Sequence, residues 1–148
     1  MCYTTQVQNA FSIGGFLYNK ATQQILLQQE DDLSGWSLIC GYGKSGEDPK
    51  IAFQKIIQEV LDIKIKPSQI YPVYDYPDKI TQIVNYVYYV EVEKAPKLTK
   101  INMGNLAWKT FAETLKLIFS LNAKQDIVVG GRVIAHKSRL DQGLQNQP

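Results

Sequence analysis

Cysteine and histidine are scarce in this chain, whose 148 residues hold two cysteines, Cys2 and Cys40, and one histidine, His136. The cysteines stand in no paired metal or redox spacing, so neither a disulfide framework nor a zinc site is indicated, and reduced thiols are expected. His136 lies in a basic stretch, 132–139, with no nucleophile or acid placed beside it by sequence; it reads as a solvated helix residue rather than a catalytic base. Long apolar runs are missing too: none approaches the roughly 20 residues that span a bilayer. The start, MCYTTQVQNAF, lacks a basic segment followed by an apolar one, so neither secretion nor a membrane anchor is expected, and a cytoplasmic location is. Charge of one sign is also lacking. Sixteen Lys and Arg against fourteen Asp and Glu give +2, too weak a field to argue for a nucleic-acid or membrane partner.

What is present is an ordinary globular composition, 45% hydrophobic and 20% charged, at a length that suits one domain over 1–148. No repeat or interdomain linker interrupts it. The core is expected over about 10–140, with the Gln- and Asn-rich tail 141–148 disordered. Residues 10–19 and 23–29 read as two strands joined by a turn near Lys20, and 36–40 as a short buried strand. A glycine-rich loop, 41–48, follows. Pro49 suits a first helical turn and Asp48 an N-cap; Ala52, Phe53, Ile56, Ile57, Val60 and Leu61 then recur at helical spacing through Asp62. Two tyrosine-rich strands flank a turn at Pro77-Asp78, and 106–108 reads as a further strand. Helices are expected over 111–121 and 124–140, the latter kinked or broken at Gly130-Gly131. The fold class is α/β (α+β).

Strand, glycine loop and helix in that order suit an anion, because loop amides and a helix N-terminus favour negative charge. Gly43-Lys44-Ser45 has the ending of a P-loop, but Leu38 stands where that motif needs a glycine. A second frame fits better: Gly41, Glu47, Lys55, Ile56, Ile57, Glu59, Val60, Asp62 and Ile63 align with G-x5-E-x7-R-E-U-x-E-E-x-G-U, where U is apolar. On these residues the chain resembles the Nudix (MutT-like) hydrolases. Gly41, Glu47, Ile57, Glu59 and Ile63 match, Lys55 keeps the charge of the arginine, and Ile56, Val60 and Asp62 depart. The strands of 74–93 and the tryptophan-containing segment 106–117 resemble later parts of the same family, so the likeness covers nearly the whole chain.

The resemblance implies a mixed sheet sandwiched between helices, and pyrophosphohydrolase chemistry on nucleoside diphosphate derivatives. In active members carboxylates on this helix hold magnesium, which offsets charge while water attacks phosphorus. The positions corresponding to the metal-binding glutamates are Ile56, Glu59 and Val60, of which only Glu59 can ligate. Glu59 is therefore the candidate catalytic and metal residue, with magnesium expected weak or absent. Gly41, Gly43 and Lys44 are the candidate substrate-binding residues, and Glu47 and Lys55 the structural pair, which the resemblance makes an ion pair. The expected function is a degenerate Nudix domain, a pseudoenzyme that binds a nucleotide or a partner. Two alternatives stand beside it: an active hydrolase whose magnesium is held by Glu59, Glu47 and recruited acids such as Asp62 or Asp75, and a protein-interaction module or homodimer. Ile56 and Val60 are either packed beneath a loop or exposed as a binding strip. The strand tyrosines and Trp36 and Trp108 read as core and sheet surface more than as stacking platforms.

Overall fold

The computed structural model describes residues 9–31, 35–97, 105–120 and 122–145. Its centre is β1 (Phe11–Asn19), nine residues buried along their whole length. A strand buried on both faces must be covered twice, and it is. β1 pairs in parallel with β6 (Val84–Val92) along its full length. Its other edge is shared between β4 (Ile39–Gly43) and the start of β2 (Gln24–Asp31), both antiparallel. Beyond these, β5 (Ile70–Pro77) pairs with β6, while β3 (Gly35–Ser37) and β7 (Leu106–Thr110) pair with β2, completing a seven-stranded mixed sheet.

Helix α1 (Pro49–Leu61) covers one face. Asp48 caps it by accepting from the Lys50 N–H at 2.9 Å, Pro49 opens its first turn, and Asp62 closes it in the left-handed conformation. Phe53, Ile57 and Leu61 are fully buried against Ile13, Leu17 and Leu26. Each such side chain contributes about 1.5–3 kcal/mol on leaving water. On the opposite face, Ile127 and Ile134 of a long helix, α3 (Ala123–Gln145), pack with Phe16, Ile25 and Tyr89. Between β7 and α3 lies α2 (Phe111–Thr114), a single turn with a reciprocal Thr110–Glu113 cap.

Several expectations are corrected. The strand expected over 36–40 breaks at Leu38 and continues to Gly43, so Gly41 and Gly43 are strand residues paired with Ile13 and Phe11, not members of a loop. The helix expected over 111–121 stops at Thr114, because Trp36 captures the following backbone: its N–H donates to Ile118 O and its carbonyl accepts from Ser120 N. Helix α3 runs unbroken through Gly130-Gly131. A β-carbon on Gly130 would lie 2.8 Å from the Phe16 ring, so glycine there lets the helix settle onto the sheet. The tail is helical to Gln145, and 146–148 lie outside the described residues. Cys40 carries no free thiol but is disulfide-bonded, against the expectation of reduced thiols; Cys2 lies outside the described residues.

Candidate functional site

The loop between β4 and α1 shrinks to 44–48, fully exposed and closed on itself. Glu47 Oε1 accepts from the Lys44 N–H at 2.8 Å, and the Glu47 N–H returns a bond to Lys44 O at 3.1 Å. Gly46 supplies the left-handed φ of 89° that this tight turn requires. Lys44 thereby forms one end of the turn, opposite Glu47, and is exposed to solvent. No ion pair joins Glu47 to Lys55 within 4.0 Å, so the expected loop-to-helix pair is replaced by a bond to the loop's own backbone.

Along α1, Glu59 and Lys55 point outward, while Ile56 and Val60 are half-buried and packed against the α1-side core. A β-carbon on Gly41 would lie 2.6 Å from Ile56 Cδ1. The isoleucine therefore occupies the space beside the strand that glycine leaves open. Asp75 stands exposed on β5 and Asp62 exposed at the end of α1. Among the described residues no group of three or more His, Cys, Asp or Glu side chains converges closely enough to hold a metal ion.

A second polar assembly lies under α3. Ser12 on β1 donates to Asn85 Oδ1 on the paired β6 at 2.9 Å, and Asn85 Nδ2 donates to Tyr76 Oη at 2.9 Å. Tyr74 and Tyr76 both donate to Asp126 Oδ1, at 2.7 and 2.9 Å. A bulge between Pro72 and Tyr74 makes this possible, since it turns Tyr71, Val73, Tyr74 and Tyr76 all toward α3. Asp126 is 2% exposed, and burial pushes its carboxyl up to about 6; the tyrosine hydroxyls pull it back and the nearby Asp78 charge adds to the rise. The tyrosine hydroxyls are raised in turn, first by burial and then by this carboxylate. A cavity of about 20 Å³ opens between β1, β4, β6 and α3, lined by Ser12, Ser37, Cys40, Asn85 and Asp126 among others. It is the size of one water, and the buried Ser37 Oγ lacks a partner there.

No protein-family model matches the sequence, and no curated protein matches it. Solved structures do. The Nudix domain of Shewanella oneidensis NrtR, solved with ADP ribose, is 14% identical and superposes with a TM-score of 0.66 over 88% of this chain and 90% of that one. A mutT/nudix family protein from Listeria innocua gives 0.67 at 12% identity, over 91% and 99%. This chain has a Nudix fold. The C-terminal domain of mouse MUTYH, solved with human PCNA, is equally similar at 0.67 and 15% identity, over 84% and 89%.

On the Nudix fold the loop–helix positions can be read one by one. Gly41 and Gly43 form the end of β4, and Glu47 organises the loop by bonding Lys44 at its start. Asp62 stands where the signature has glycine and adopts the φ of 53° that glycine would take. The conformation survives the substitution. Of the three positions that the resemblance aligns with metal-binding glutamates, only Glu59 carries a carboxylate; Ile56 and Val60 are aliphatic. Sequence reading missed Asp126 and its partners. A signal existed: Ala123, Asp126, Ile127, Gly130 and Ile134 share one helix face, which puts a carboxylate among core positions.

Proposed function

We propose that this Nudix-fold domain binds a nucleotide-like ligand, a nucleoside diphosphate derivative, and hydrolyses it slowly or not at all. One observation carries the reading: the helix face that should present carboxylates presents Ile56 and Val60, both partly buried against the core, with Ile56 also filling the space beside Gly41. Glu59 alone gives magnesium one protein oxygen ligand group, and neither aliphatic side chain can add another. What supports a phosphate here is the exposed Lys44 in an exposed loop, 44–48, directly ahead of the N-terminus of α1. The ADP ribose held by the Shewanella neighbour is the kind of ligand that such a frame would take. The recruited-acid alternative needs Glu47, Asp62 or Asp75 to meet Glu59, and these residues form no such cluster.

The test is phosphate and pyrophosphate release from ADP ribose and a panel of nucleotides with magnesium or manganese, beside calorimetric binding of the same compounds. The unmodified protein should bind without measurable turnover. Ile56→Glu with Val60→Glu should restore turnover that Glu59→Gln then removes. Robust hydrolysis by the unmodified protein, lost on Glu59→Gln, would overturn the proposal.

A further inference from the structure

Helices α2 and α3 leave an open groove of about 410 Å³ on the face away from α1. Its floor is Phe111, anchored edge-on against Phe16. Leu115, 69% exposed, and Val128 form its sides, and Ile118, 77% exposed, lies just beyond Leu115 in the chain. The groove stays open because α3 carries no side chain at Gly131, where a β-carbon would sit 3.3 Å from the Phe111 ring. Apolar surface of this kind, rimmed by charge, marks a contact with another molecule.

The charges say which kind. Residues 111–145 hold three acids, and each is engaged: Glu113 accepts from the Thr110 N–H, Asp126 is buried under two tyrosine hydroxyls, and Asp141 lies 3.8 Å from Lys137. Lys116, Lys124, Arg132 and Arg139, by contrast, join no ion pair among the described residues. Arg132 lines the groove itself. We infer that this groove docks an acidic amphipathic segment of a partner protein, its apolar side chains seated on Phe111, Leu115 and Val128 and its carboxylates facing Arg132 and Lys116. The surface is separate from the loop–helix of the proposed nucleotide site, so the two can be occupied independently.

Fluorescence anisotropy with a labelled 16-residue helical peptide, leucine at three- and four-residue spacing and glutamate elsewhere, tests this directly. Saturable binding with a dissociation constant of about 10–100 μM, weakened by salt, is expected. Leu115→Asp and Arg132→Glu should each weaken it at least tenfold, whereas Ile80→Asp, an equally exposed apolar site elsewhere, should not. Thermal melting confirms that each variant is folded. Equal binding of the same peptide with lysine in place of glutamate would overturn the inference, as would no effect of Leu115→Asp or no binding at all. Sedimentation as a dimer that Leu115→Asp renders monomeric would overturn it too, by assigning the groove to a second copy of this chain.

Discussion

At the residue scale, Asp126 is the side chain with the most to reveal, because its protonation is tied to folding. Its carboxyl rises from an ordinary 3.8 to about 6, with burial the leading cause. The folded state therefore holds a proton that the unfolded chain releases between about pH 4 and 6, and stability contributed by this group falls as pH rises through that window. At roughly 1.4 kcal/mol per unit the loss is about 2–3 kcal/mol by pH 7. Asp126→Asn keeps an acceptor for both tyrosine hydroxyls but cannot ionise, so its stability should be flat over the window and exceed that of the unmodified protein at pH 7. Urea denaturation at pH 4.5 and pH 7 measures both. Ile56 is informative in another way: its identity is plain in the sequence, but that it fills space beside Gly41 rather than lying exposed is a tertiary fact.

Among the elements, α3 shows best how local preference and packing compete. Two adjacent glycines cost on the order of 1 kcal/mol each in a helix interior, which is why a kink was expected there. Packing decides otherwise. Gly130 faces Phe16 at a distance that no β-carbon could keep, so Gly130→Ala should destabilise the protein by about 1–3 kcal/mol despite its better helix propensity. Gly143 has open space around it, and the same change there should stabilise slightly, by about 0.5 kcal/mol. Paired denaturation curves distinguish the sites. Helix α2 shows the same competition, since its periodicity extends to residue 121 but Trp36 takes the backbone groups that a longer helix would use.

Across the whole molecule, the chain of bonds from Ser12 through Asn85 and Tyr76 to Asp126 ties β1, β6, β5 and α3 together through the interior. Networks of this kind stabilise only when every member is satisfied. Tyr76→Phe removes one donor from Asp126 and one acceptor from Asn85 Nδ2, and should cost about 1–3 kcal/mol. It should also raise the Asp126 carboxyl further, because that hydroxyl holds it down, and so shift the pH-dependent loss of stability upward. A pH series of denaturation midpoints would show a midpoint of the loss above that of the unmodified protein.

The sequence by itself determined helix α1, its cap and the strands around it, since these depend on neighbours in the chain and on residue chemistry. The likeness to the Nudix fold was legible from the loop–helix segment together with the later strands, and the solved structures bear out that fold. Only the tertiary structure decided what distant segments do to one another. It drew Gly41 and Gly43 into β4, exchanged the Glu47–Lys55 pair for a backbone bond, bonded Cys40 in a disulfide, and gathered Asp126, Tyr74 and Tyr76 from separate elements. Hydrogen bonds and close packing at long sequence separation leave no periodic trace, because they are fixed by how the layers meet and not by the residues alongside.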